Sequence, residues 1–143
     1  MPKIIFIGLL IFLALVIYPK KLKTTTLTID HQNYQLEIAK SISQKTIGLM
    51  NRTQLCQNCG MVFIFDFPTI QSFWMKNTLI PLDMIFLDQD FVINTIHTAH
   101  PQPNTPDNQL KLYQSTKPSQ YVIEINANQA KNLKIGDTLK LDL

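Results

Sequence analysis

From Thr24 onward the polarity of the chain changes on a two-residue beat. "TLTID" and "YQLEIA" alternate apolar and polar positions, the period of a half-buried strand, and the "HQN" between them predicts a hairpin. "SQKTIGLMNR" breaks the beat: Ser43 predicts the cap of a short helix carrying Ile47, Leu49 and Met50. "GMVFIFDF", Gly60 to Phe67, is a continuous apolar run and predicts a central strand. "MIFLDQDFVINTIH" predicts two strands in a second hairpin around Asp88-Gln89-Asp90. "YVIEI" predicts another strand. "NANQAKNLKIGD" predicts a helix with Asn128 as its cap and Gly136 past its end, and "DTLKLDL" predicts a closing strand. Between the second hairpin and "YVIEI", from His100 to Ser119, lies a proline-rich loop of the length that is usually functional or mobile. Many short strands and two short helices define a mainly β fold, a sandwich- or barrel-like sheet with α decoration.

The first residues follow no such beat. "IIFIGLLIFLALVIY", Ile4 to Tyr18, carries no charge, with Lys3 before it and Pro19-Lys20-Lys21 after it. As a helix rising about 1.5 Å per residue it falls short of a hydrocarbon core about 30 Å thick. That length suits the apolar region of an export signal, and the flanking lysines could snorkel and let it act as an anchor. Residues 1–23 are therefore expected to be a signal peptide or membrane anchor. Residues 24–143 are expected to form one extracytoplasmic domain, in the periplasm or at the cell surface.

Composition supports that division. The chain has 143 residues, 45% of them hydrophobic, which is enough for a real core. Its formal net charge of +3 belongs to the N-terminal segment, where four lysines stand with no acid. Removing those four from the 13 basic residues leaves nine against ten acids, a net charge of −1 for the domain. A domain with no excess positive charge is a poor binder of a phosphate backbone, so no nucleic-acid partner is expected.

The candidate chemistry lies in "QSFWMKNTLIPLDMIFLD", Gln71 to Asp88, where Lys76-Asn77-Thr78 interrupts an apolar run. Read as a strand from Phe73, alternation puts Trp74, Lys76 and Thr78 on one face. An aromatic plane, a cation and a hydroxyl together suit a sugar or a small anion. Pro81 would then turn the chain and let Asp83 return toward Lys76. Three readings fit. Trp74, Lys76, Asn77, Thr78 and Asp83 could bind a small polar or carbohydrate-like ligand. Asp83 beside Lys76 could be the general acid or base of a hydrolase. Or the motif could only staple strands together.

Cys56-Gln57-Asn58-Cys59 is expected to be a disulfide or a pair of free thiols, because a strand rather than a helix follows it. His97 and His100 could complete a zinc set with the two cysteines, but the interval is far longer than in zinc fingers, so no metal is expected. No cofactor motif is present.

In order along the chain stand "GLMNR" (Gly48 to Arg52), Leu55, "GMVFIFDF", "FWMKNTLIPLDMIFLD" (Phe73 to Asp88), "VIEINAN" (Val122 to Asn128) and "GDTLKL" (Gly136 to Leu141). The series resembles the domain of unknown function 192 family from about Thr25 to Leu143. The resemblance implies a small, mostly β, sandwich-like domain, often behind an export signal, and implies no established activity. The chain departs from the family at three places. Gln44 and Lys45 occupy the region where members carry an arginine. Asp90-Phe91 stands where the second hairpin usually has a glycine. Asn128 stands where a glycine commonly follows the later strand; asparagine tolerates positive φ better than most residues.

Overall fold

The computed structural model describes residues 21–143. The segment read as a signal or anchor lies almost entirely outside them. Eight strands, one short helix and a 3-10 turn follow in the order β1 (Thr24–Ile29), β2 (Gln32–Ala39), α1 (Ile42–Ile47), β3 (Cys59–Thr69), β4 (Ser72–Phe73), β5 (Leu82–Leu87), β6 (Ile93–Ala99), the 3-10 turn Asp107–Gln109, β7 (Tyr113–Gln114) and β8 (Ser119–Asn126). The fold is mainly β, as the alternating pattern predicts.

Six strands form one sheet in the order β1-β2-β3-β8-β5-β6, and β4 pairs with β7 in a small second sheet. The β1–β2 turn needs only Asp30 and His31, both at positive φ (49° and 64°), which matches the twist of a tight hairpin. β2 and β3 run parallel, so the chain must cross over between them, and α1 lies in that crossover. β8 forms late in the chain yet sits between β3 and β5, antiparallel to both. It is the sheet's spine, and each of its side chains is committed to one face or the other.

The C-terminal segment joins the two ends of the sheet. Leu141 bridges Leu27 of β1, and Thr138 bridges Val92 beside β6. The Leu139 N–H donates to the Phe91 carbonyl at 3.0 Å, and the Thr25 hydroxyl donates to the Asp142 carbonyl at 2.6 Å. The predicted closing strand is thus two isolated bridges, and they give the sheet its barrel-like closure. Each face carries its own core. The inner one gathers Leu27, Leu36, Val62, Ile85, Ile123 and Ile125. The outer one gathers Leu49, Met61, Phe63, Met75, Met84 and Phe86. Burial of each such side chain contributes about 1.5–3 kcal/mol.

Two helix expectations change. The first helix starts earlier: its cap is Ser41, whose hydroxyl accepts from the Gln44 N–H at 3.2 Å while the Gln44 side chain accepts from the Ser41 N–H at 2.9 Å. The second, after Asn128, is a run of turns. Asn128 sits at φ 69°, not in the extended conformation of a cap, and the Ala130 N–H is drawn off to the Asp83 carboxylate at 2.8 Å.

Candidate functional site

β8 alternates "VIEIN". Ile123 and Ile125 enter the inner core, so Val122 and Glu124 must face outward. The sheet register then fixes what surrounds the Glu124 carboxyl. Its Cα partners are Met61 on β3 and Met84 on β5. Beyond Met61 stands Glu37, and beyond Met84 stands His97. A single row therefore crosses the outer face: Glu37, Met61, Glu124, Met84, His97.

The three polar members of the row differ in their partners. Glu37 receives both arms of the Arg52 guanidinium at 2.6 and 2.8 Å, and those hydrogen bonds hold its carboxyl below the usual range. The His97 ring Nε2 lies 2.9 Å from the Gln114 carbonyl oxygen. Glu124 is only 5% exposed, and burial alone pushes its carboxyl up to about 8. No hydrogen bond or countercharge among the described residues pulls it back.

What Glu124 does have is space. It lines a cavity of about 350 Å³ together with Lys45, Phe63, Phe73, Trp74 and Thr78. The walls are built by α1 and β4 folding over the outer face. Phe73 is wedged edge-on between Phe63 (ring centroids 5.0 Å apart) and Phe86 (5.8 Å). Gly48 ends α1 at φ 49°, and a Cβ there would come within 3.1 Å of the Phe63 ring, so glycine lets the helix end meet the wall. The Lys45 ammonium lies 4.7 Å over the Phe65 ring and donates to the Ile64 carbonyl at 3.2 Å. Trp74 stands at the rim, 40% exposed.

The five residues read from the sequence divide among three places. Trp74 and Thr78 line the cavity with Glu124. Lys76, Asn77 and Thr78 line a second cleft, about 300 Å³, against Pro101, Pro103 and Asp107 of the proline-rich loop. Asp83 is on the opposite face of the sheet. There one oxygen accepts from the Thr98 hydroxyl at 2.7 Å and the other from the Ala130 N–H at 2.8 Å.

The expected strand from Phe73 to Thr78 is corrected for the same reason. β4 stops at Phe73, and a turn follows in which the Thr78 N–H donates to the Met75 carbonyl and Asn77 takes φ 50°. Alternation does not hold through a turn. Lys76 pairs with Asp107 rather than Asp83 and lies 5.3 Å over the Trp74 ring. A hydrolase pairing Asp83 with Lys76 has no geometry here, because Asp83 faces no cleft. Glu124 escaped the reading of the sequence. Its signal was a single acid in the apolar strand "YVIEI", with the side-chain alternation that assigns it a face.

Comparison with known proteins is decisive for the family. The profile of DUF192, described as uncharacterized ACR, matches residues 25–141. The chain belongs to the DUF192 family. Two crystal structures are similar to it. One is a protein of unknown function from Novosphingobium aromaticivorans, 31% identical over 82% of this chain and 83% of that one, with a TM-score of 0.68. The other is a Sinorhizobium meliloti protein provisionally described as a transcription regulator, 32% identical over 87% of this chain and 98% of that one, with a TM-score of 0.74. No curated protein matches.

The departures of this DUF192 chain from the family pattern fall at telling positions. Of Asp90-Phe91 and Asn128, where the resemblance led to an expected glycine, Phe91 and Asn128 both sit at positive φ, 61° and 69°. Phe91 is held there by stacking on Tyr121 with ring centroids 4.6 Å apart. In the region of the missing arginine, Gln44 closes the helix cap and Lys45 lines the cavity. Cys56 and Cys59 form a disulfide, and the Asn126 side chain donates to the Cys56 carbonyl at 2.9 Å. Among the described residues no three His, Cys, Asp or Glu side chains gather as a metal set, and no helix is long and apolar enough to cross a membrane.

Proposed function

We propose that this DUF192 domain is a binding module for a small polar, carbohydrate-like ligand, and that its site is the outer-face cavity. The observation that carries the reading is Glu124: a carboxyl 5% exposed, without a hydrogen-bond partner among the described residues, at a cavity rimmed by Trp74. Buried polar groups are ordinarily satisfied, and one left open on a cavity is a group whose partner comes from outside. Trp74 supplies a stacking plane and Thr78 a hydroxyl. Of the residues read from the sequence, Trp74 and Thr78 contact the ligand directly. Lys76 and Asn77 shape the rim from the neighbouring cleft, and Asp83 holds the scaffold from the other face.

The same proposal places the domain outside the cytoplasm, carried there by the N-terminal apolar segment as signal or anchor. The Cys56–Cys59 disulfide supports an oxidising compartment. The regulator description of the Sinorhizobium meliloti relative is not carried over, since the domain from Thr24 onward has net charge −1.

Trp74 is the only tryptophan in the chain, which makes the test direct. Titration with envelope-derived saccharides is expected to give a saturable change in tryptophan emission, lost in Thr78→Val together with Glu124→Leu. If emission is unchanged and equilibrium dialysis detects no bound saccharide at millimolar concentration, the reading is wrong.

A further inference from the structure

We propose that Glu124 is a protonated hydrogen-bonding anchor for an amide, and that the cavity takes an N-acylated sugar in preference to a plain one. This rests on the binding reading above and names the ligand class.

The argument starts from what a lone carboxyl can offer. Ionised, it only accepts, and in a buried place it needs a cation. Of the cations nearby, Arg52 and Lys76 are ion-paired, while Lys45, which lines the same cavity, is turned away from the carboxyl and makes no ion pair among the described residues. Lys45 is turned to the Ile64 carbonyl and the Phe65 face, Arg52 is held by Glu37, and Lys76 is held by Asp107. On β3 and β5 the immediate neighbours are methionines, and on β8 the flanking residues on the same face are Val122 and Asn126, whose side-chain amide donates to the Leu55 and Cys56 carbonyls. Glu37 and His97 are each two strands away, about 10 Å at the usual strand spacing. From the segment that covers the cavity come Gln71, Ser72, Trp74 and Thr78, none of them charged. These surroundings favour the neutral form of the carboxyl, and burial pushes it up to about 8.

A neutral carboxyl carries one donor and one acceptor side by side. An amide presents the complement: its C=O accepts the acid O–H while its N–H donates to the acid C=O. Both hydrogen bonds form in one plane. A single sugar hydroxyl can bridge both positions only through two bent hydrogen bonds in a smaller ring, whereas the amide makes both nearly linear. The methyl of an acetamido group is apolar and suits the aromatic edges of Phe63 and Phe73. Trp74 at the rim is then left for the sugar ring.

The experiment compares N,N′-diacetylchitobiose with cellobiose, which shares the linkage and lacks the acetamido groups, on the full chain at pH 7 and pH 9. The acetylated sugar is expected to bind at least tenfold more tightly at pH 7. Ionisation of Glu124 then weakens its binding about tenfold by pH 9, since affinity falls tenfold per pH unit once the pH exceeds the carboxyl's value. Glu124→Gln keeps a donor and an acceptor but cannot ionise, so it is expected to bind at both pH values with no pH dependence. Glu124→Leu is expected to abolish the preference. Equal affinity for the two sugars overturns the amide assignment and leaves the binding module standing. Wild-type affinity that does not change with pH overturns the protonated anchor. Binding of neither sugar overturns both this inference and the carbohydrate reading beneath it.

Discussion

Asp83 and Glu124 come from neighbouring strands of one sheet and are almost equally buried, at 2% and 5% exposure. Asp83 lies across from Ile125, the residue next to Glu124. One step along the strand changes the face, and the face changes everything else. Asp83 enters the inner side, where Thr98 and the Ala130 backbone each complete one oxygen. Glu124 enters the outer side, where no side chain or backbone group among the described residues completes it and a cavity opens. Burial therefore does not separate the structural acid from the functional candidate. Satisfaction does.

The comparison breaks most visibly through Asp83. Asp83→Ala removes two hydrogen bonds and strands the buried Ala130 N–H, while the exposed Thr98 hydroxyl can turn to water. With one bond of roughly 1.5–3 kcal/mol lost outright and the other partly replaced, the loss is about 3 kcal/mol. Urea unfolding is expected to show a lower midpoint with an unchanged slope. A loss below about 1 kcal/mol would mean that Asp83 does not staple β5 to β6 and the turn after β8.

Glu124 is expected to behave in the opposite way. Burial pushes its folded carboxyl up to about 8, from 4.5 for a free side chain. Between those values the folded state binds more protons than the unfolded one, so stability falls as pH rises through that window. At pH 4 both states are protonated and Glu124→Gln changes little. At pH 9 the wild type carries a buried, unpaired charge, and the variant does not. Glutamine still buries an unsatisfied amide, so the net gain is smaller than the full shift implies, on the order of 2 kcal/mol. Thermal or urea unfolding of both proteins at pH 4, 7 and 9 measures it. A difference that is constant across the three pH values refutes the raised carboxyl.

How much of this was legible beforehand follows from the same distinction. The alternating runs revealed the strands because a period of two needs no tertiary partner to be read. The family resemblance marked Asp90-Phe91 and Asn128, and Phe91 and Asn128 do sit at positive φ, the conformation glycine takes most readily. The second helix failed because Asp83, distant in sequence, takes the Ala130 N–H. The site was half visible. Trp74 and Thr78 stood out as unusual residues in an apolar run, and both reach the cavity. Glu124 did not stand out, because its isolation depends on the order of strands. Only when β8 lies between β3 and β5 does it meet a methionine on each side. The expected return of Asp83 toward Lys76 rested on a strand through Lys76 followed by a bend at Pro81, and the turn at Lys76-Asn77 ends the strand first.

The smallest expected effect on stability tests the boundary between scaffold and site. Phe73 and Trp74 are adjacent aromatics. Phe73 is clamped edge-on by Phe63, Phe65 and Phe86, whereas Trp74 stands 40% exposed at the rim with only Lys76 over its ring. Trp74→Ala is therefore expected to cost less than about 0.5 kcal/mol, the range of an ordinary surface substitution. Phe73→Ala opens a hole in the outer core and costs several times as much. Equilibrium unfolding of the two variants side by side reads the difference. If Trp74→Ala proves as costly as Phe73→Ala, the tryptophan belongs to the outer core, and the cavity has no free rim on which a ligand could stack.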